Sequence, residues 1–336
     1  MKKFISALVC AIMVTVLFFG FSACADVKQT DKVNLVAING VQVGTTDNID
    51  FYVVPEPAAT AKVNAVKDLK FVGDLQQLYG GENGYPQAVA VVKNHLLDSD
   101  FCARFSDKLT ESANWLLSAD PKIVADAVQS HLTVGMTPTF NAGNLTAQVI
   151  KNCGVRFTYG ESNVREIIDF VDKLNSVSET SFGNASENFF IGNVYPDALY
   201  SGKVKVYAPD GAPALALAKL MTEETALGDS VQAEYNVVNS STIQTYVTGA
   251  NPAADICVLP VNLAVKLLGS GEKYKLLGTL THGNLYILSK DGTPITRENI
   301  SSLKGKTVGV VNLASVPGLT FKLILKNSGV EYTEVR

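Results

Sequence analysis

A two-lobed α/β protein is predicted by three observations. Short apolar or alternating strands are interleaved with amphipathic helices along almost the whole chain, the signature of βα units and mostly parallel sheets. The 336 residues accommodate two cores of ordinary domain size. Several strands also run straight into a Gly, Pro or Ser/Thr corner that opens a helix. The clearest of these is KVKVYAPDGAPALALAK at 203–219. Val204 and Val206 alternate with Lys203 and Lys205, Asp210-Gly211 breaks the run, and Ala212-Pro213 opens a helix with Ala214, Leu217, Ala218 and Met221 on one face. Such a corner leaves free backbone N–H groups facing a crevice, a geometry that can hold a ligand, although most βα corners hold none.

Along the chain, residues 33–38 read as a strand closed by Asn39-Gly40. A second strand, 49–54, ends at Pro55-Glu56-Pro57, where two prolines stiffen the backbone around one carboxylate. Glu56 is equally readable as a surface acid complementing the dipole of a helix at 58–66. Gly80-Gly81-Glu82-Asn83-Gly84-Tyr85-Pro86 is either a loop where something approaches the backbone or a long hairpin before strand 88–92. It matches neither GxxxxGK[ST] nor GxGxxG, so no phosphate loop or dinucleotide site is inferred. From Asp98 the period becomes helical: Phe101, Phe105, Leu109 and Leu116 mark one helix, Asp120-Pro121 caps a second, 145–152 is a third, and Val164 to Leu174 a fourth. His131, alone on its helix, reads as structural. Residues 176–192, rich in Ser, Asn, Gly and Glu, read as a linker.

Further strands are expected at 233–239, 254–260, 274–280, 285–288 and 307–311. Ser240-Ser241-Thr242 is an N-cap cluster before a helix at 243–248. Pro260-Val261-Asn262 opens another helix, and the final one begins near Val316-Pro317 and stops at Ser328-Gly329.

With 18% charged residues and a net charge of −4, the chain has no electrostatic footprint for nucleic acid. Lys2 and Lys3 precede an apolar run from Phe4 to Phe21, the layout of a secretory signal. A membrane anchor is the competing reading, since the run approaches spanning length. Ser22-Ala23-Cys24 at its end resembles the bacterial lipoprotein signal, in which that Cys is lipidated and becomes the mature N-terminus, tying a soluble body to a membrane. Cys102, Cys153 and Cys257 show no CxxC or Cys/His spacing, so neither a disulfide framework nor a metal site is expected.

Five stretches together carry a family resemblance: KVKVYAPDGAPALALAKL, ADICVLPVNLAVKL, GNLYILSKDG, LKGKTVGVVNLASVPGLTFKLILKNSGV and IDFYVVPEPAATAKV. They look like the solute-binding proteins of ABC importers, in the nitrate/sulfonate/taurine and thiamine-precursor group. The resemblance implies a type II periplasmic-binding-protein-like fold: two α/β lobes joined by crossovers that close on a ligand like a hinge. It also implies an unusual order, because the half that comes later in the family (33–191) here precedes the earlier half (193–336). A circular permutation with the signal kept in front accounts for this; an error of sequence assembly is the alternative.

On that reading residues 1–23 are the signal, 24–32 a tether, 33–94 the second half of one lobe with a crossover, and 95–175 the family's terminal helices. Residues 176–194 are a linker, 195–289 the other lobe with its crossover, and 290–336 the first half of the divided lobe. Gly283 to Ser289 and Pro86 to Lys93 resemble the two crossovers.

Ligands of open α/β sheets sit beyond the C-terminal strand ends. The candidate ligand-binding residues at those corners are Asp210, Gly211 and Ala212; Ser240, Ser241 and Thr242; Pro260 and Asn262; His282 and Asn284; Val316 and Thr320; Glu56; and Glu82, Asn83 and Tyr85. The expected function is capture of a small molecule between the lobes and delivery to an ABC permease, by a monomer anchored through Cys24 outside the cytoplasm and using no cofactor. Two alternatives share the fold. An enzyme of the pyrimidine-synthase type would need a cysteine-rich motif that is missing here, and a ligand-sensing domain would need the same cleft.

Overall fold

The structure, a computed structural model, describes residues 31–81, 84–192, 196–223 and 225–335. The proposed signal and Cys24, and also Glu82 and Asn83, lie outside the described residues.

The chain opens with β1 (Val33–Ile38), β2 (Phe51–Pro55), α1 (Ala58–Ala65), β3 (Lys70–Asp74), α2 (Leu75–Tyr79) and β4 (Pro86–Lys93). Then come α3 (Phe101–Leu116), α4 (Pro121–Gln129), α5 (Ala147–Asn152), β5 (Val155–Tyr159) and α6 (Val164–Asn175). After a partly irregular stretch follow β6 (Gly202–Pro209), α7 (Ala212–Leu215), α8 (Ala218–Met221), β7 (Val231–Val238), β8 (Ile256–Pro260), α9 (Val261–Leu268) and β9 (Tyr274–His282). The chain ends with β10 (Leu285–Ser289), β11 (Thr307–Val311), α10 (Val316–Asn327) and β12 (Tyr332–Val335).

These strands form two six-stranded sheets, ordered β12-β1-β11-β2-β10-β3 and β5-β9-β4-β8-β6-β7. We call them the first and second sheet. Their internal plans correspond. In the second, β6 lies between parallel β7 and β8, followed by antiparallel β4 and then β9. In the first, β11 lies between parallel β1 and β2, followed by antiparallel β10 and then β3. Among the described residues the chain passes between the sheets twice, from α2 to β4 and from β9 to β10.

The expectation of mostly parallel sheets holds for the first sheet, where only β10 runs against the other strands, and is corrected in the second, where three of the five pairings are antiparallel. Parallel strands in both sheets run toward the boundary between them, so a strand arriving from the other sheet starts at that boundary and runs backward. That is why β4 and β10, the two strands entered by crossing, are antiparallel to their neighbours β8 and β2.

Burial follows from the sequence pattern. Val53, Val89, Leu259 and Ile287 face one apolar core that continues across both sheets, joined through Phe170 of α6 and Phe321 of α10. Helix α6 packs against both α9 and α10 and so bridges the two halves. Separate cores cover the outer faces: Ala90, Val206 and Val258 under α3, α4, α7 and α8, and Tyr52, Val54 and Leu288 under α1.

Two local expectations change. The helix expected from Ala212 to Met221 is two short helices, α7 and α8. Ala214, Ala216, Leu217 and Ala218 are all buried, so this segment threads the core instead of showing one apolar face. Residues 176–192 are tied down where a linker was expected: Phe189 is fully buried, Phe190 bridges Leu276 of β9, and Ser186 N donates to Gly269 O at 2.8 Å.

Candidate functional site

The boundary between the sheets is built from strand C-termini facing one another. On one side are the ends of β2 and β11, on the other the ends of β6 and β8. Two contacts register them. A Cβ placed on Gly211, after β6, would lie 3.9 Å from Cδ of Pro57, after β2. Ser315, before α10, donates to Oδ1 of Asn262 in α9 at 3.3 Å. The corners at 56–57, 210–212, 260–262 and 315–316 are thus brought together along one seam.

Glu56 occupies the end of β2 and is 1% exposed. Its carboxylate accepts from Thr60 N at 2.9 Å and Thr60 Oγ1 at 2.7 Å, four residues on in the first turn of α1. The reading of Glu56 as a surface acid is therefore corrected: it meets the helix end but from a buried position. Burial pushes its carboxyl pKa up, opposed by the hydrogen bonds from Thr60 and from Asn152 of α5. Through its backbone Glu56 is locked to Asn284 in the second crossing. Glu56 N donates to Asn284 O at 2.8 Å, and Asn284 Nδ2 donates back to Glu56 O at 3.0 Å.

Asn284 is 2% exposed, and its Oδ1 has no hydrogen-bond partner. Beside it in sequence, buried His282 faces Thr158 Oγ1 through Nε2 at 3.2 Å, while its Nδ1 is unpartnered. Burial, and secondarily the Arg156 charge, lowers the imidazole pKa to about 3, so the ring is neutral at ordinary pH. Asp210 accepts from Thr139 N at 2.6 Å through Oδ2, leaving a buried Oδ1 without a partner. The turn after it depends on Gly211 at φ 110°, ψ −150°, a backbone region open essentially to glycine alone. On α10, Val316 and Thr320 lie one turn apart and are both buried, and Thr320 Oγ1 is again unpartnered. Buried polar atoms normally find partners, and of the nine unpartnered ones among the described residues four, on Asp210, His282, Asn284 and Thr320, lie at these corners.

Other sequence candidates fall elsewhere. Ser240, Ser241 and Thr242 form an exposed turn folded on itself: Ser241 N and Oγ donate to Asn239 Oδ1 at 2.9 and 2.8 Å, and Thr242 Oγ1 to Asn239 O at 3.1 Å. The expected N-cap role is corrected, since Thr242 makes no side-chain cap and only a short 3-10 turn follows, Ile243–Tyr246. Pro260 is half-buried at the start of α9 and Ala212 is buried at the start of α7. Tyr85 is fully buried, stacked on Phe170 at 5.3 Å, with its hydroxyl on Gln76 Oε1 at 3.2 Å. It belongs to the first crossing and not to the seam.

Sequence reasoning missed Thr60, Thr139, Asn152, Thr158, Ser315 and Gln76. Only Thr60, at i+4 from Glu56, and Ser315, just before the Val316-Pro317 helix start, left a readable signal. Two surface cavities lie away from the seam. One of about 430 Å³ sits beside the first crossing and is lined by Tyr79, Tyr85, Arg165 and Phe170. The other, about 320 Å³, is at the opposite end of β2, by Asp47, Asp50 and Asp291. Among the described residues no group of three or more His, Cys, Asp or Glu is placed to hold a metal ion.

No protein-family model and no curated protein matches the chain. Among solved structures it is similar to the oligopeptide-binding protein AppA from Bacillus subtilis in complex with a nonapeptide, with 11% identity and a TM-score of 0.27. That match covers 75% of this chain and 53% of the other, so the chain spans about half the length of the protein it matches. The likeness is too slight to assign fold, ligand or partner.

Proposed function

We propose that this chain is a solute-binding protein of the type II periplasmic-binding-protein kind, which holds a small molecule between its two sheets and presents it to an ABC import permease. The observation that carries the reading is the seam itself: strand C-termini from two corresponding sheets face each other while, among the described residues, the chain crosses between them twice. A ligand at that place touches both halves at once and stabilises their closure.

The chemistry of the seam narrows the ligand. Asp210 Oδ1 and Asn284 Oδ1 are unpartnered acceptors, and Glu56 adds a buried carboxyl group. The corner residues themselves include no Lys or Arg, and the cation whose charge reaches them is Arg156, felt at His282. Unsatisfied acceptors favour a neutral or cationic donor-rich molecule, a flat nitrogen heterocycle bearing amino groups, over nitrate or a sulfonate. Thermal unfolding in the presence of such a panel tests the function. An aminopyrimidine-type ligand at about a hundredfold excess over its Kd adds about 2.7 kcal/mol and raises Tm by several degrees. The absence of any shift with amines, anions and peptides alike would contradict a solute-binding role.

Two further parts of the reading concern the chain's ends. Lipidation of Cys24 would hold the body at the outer face of the cell membrane. The permuted order is supported by the first sheet, where β12 pairs parallel with β1, Val335 opposite Val36, and Lys32 lies 3.1 Å from Glu331. The two ends of the described chain thus share one edge of that sheet, although parallel neighbours in register are joined by a crossover of a dozen or more residues and not by a short link. Intact-mass analysis and peptide mapping of membrane-extracted protein test both points. The expected result is a mature chain starting at acylated Cys24 with 33–191 ahead of 193–336; a chain starting elsewhere, or the reverse order, would overturn the corresponding part.

A further inference from the structure

The two crossings do not simply pass side by side, because one side chain is bonded to both. Gln76 lies in α2, at the boundary end of β3. Its Oε1 accepts from the Tyr85 hydroxyl in the first crossing at 3.2 Å and from Leu285 N at the start of β10, beyond the second crossing, at 2.9 Å. The surroundings leave it little freedom. A Cβ on Gly283 would come within 2.7 Å of Gln76 Cγ, and one on Gly84 within 2.3 Å of His282 O, so the two crossings touch backbone to backbone and the Gln76 side chain packs against the second. Tyr85 is itself fixed, fully buried between Phe170 at 5.3 Å and Tyr79 at 5.2 Å.

We propose that Gln76 is a positioning residue that couples the two crossings, so that they flex as one hinge and not as two independent strands. A single carbonyl oxygen bonded to both crossings makes movement of either one break a bond that also orients the other. Gln76 adds to the links the crossings already have, the β4–β9 pairing of Pro86 with His282 and the Asn284–Glu56 backbone bonds, and is the side chain that ties Tyr85 to Leu285. The inference rests on the two-sheet hinge of the proposed function but needs no ligand for its test.

The test is amide hydrogen exchange of the full chain, comparing wild type with Gln76→Met, Tyr85→Phe and the double variant. Gln76→Met keeps the length of the side chain and removes its acceptor. Tyr85→Phe alters only the first crossing, yet the coupling predicts faster exchange at Leu285 N in the second. The expected acceleration is about five- to tenfold, the factor for losing one ordinary hydrogen bond, with Ile256–Pro260 and Thr307–Val311 unchanged. In the Gln76→Met background Tyr85→Phe should add nothing. Leu285 protection at wild-type level in Tyr85→Phe would overturn the proposal, as would equal acceleration throughout both sheets. Failure of ligand binding with this exchange pattern intact would instead count against the solute-binding reading alone.

Discussion

At the scale of single residues, Glu56 is where structure and function compete most plainly. A carboxyl group 1% exposed at a strand end is costly to ionise, and burial raises its pKa despite three hydrogen bonds. The folded chain therefore binds this proton more tightly than the unfolded chain does. It follows that Glu56 lowers stability as pH rises from its unfolded pKa, near 4.5, through its higher folded value. Glu56→Gln removes that titration. Its Tm relative to wild type should rise with pH above about 4.5 and level off once wild-type Glu56 is ionised, while below that pH the offset should be constant. A relative Tm independent of pH from 4 to 8 would show that Glu56 is not held in the buried setting described. The proposed ligand role would account for a residue kept at such cost beside the unpartnered Oδ1 of Asn284.

At the scale of elements, α10 shows how a buried charge can be tolerated. Lys322 is 3% exposed in the middle of the helix and forms an ion pair with Glu334 of edge strand β12. Removing only the acid leaves an ammonium buried without its counter-charge. Glu334→Gln should therefore cost about 2–3 kcal/mol in urea unfolding, whereas Lys322→Met, which removes the charge and keeps the volume, should cost much less. Equal costs would mean that the stem of Lys322 matters and its charge does not.

Elements also mark how far the sequence could be read. β1, β2, β4, β8, β10 and β11 were legible because each is a short β-branched run closed by a Pro, Gly or Asn corner. β5 was missed between two helices, although Val155, Phe157 and Tyr159 alternate with Arg156 and Thr158. Only five residues long, it lies inside a stretch whose period is otherwise helical. α7 and α8 were misread as one amphipathic helix because alanines fit an exposed face and a buried one equally well. The corners at Glu56, Asp210, Asn262 and Asn284 were readable as strand ends. Which corners meet could not be read, because contacts such as Gly211 with Pro57 join residues far apart in the chain.

At the scale of the whole molecule, two sheets of corresponding plan turn their strand ends toward one another, and the chain connects them through a compact double crossing. The continuous core through α6 and α10 gives this pair a packed interface rather than a loose linker, so its opening is expected to be a hinge motion of limited range. In the proposed function a donor-rich small molecule is held in the seam by Glu56, Asp210 and Asn284. Calorimetric titration of wild type, Glu56→Gln and Asp210→Asn against heterocyclic amines, nitrate and taurine measures this directly. The expected result is binding of an amine that each substitution weakens by about tenfold or more, the loss of one charge-assisted hydrogen bond. Tight binding of nitrate or taurine, unchanged in both variants, would contradict it.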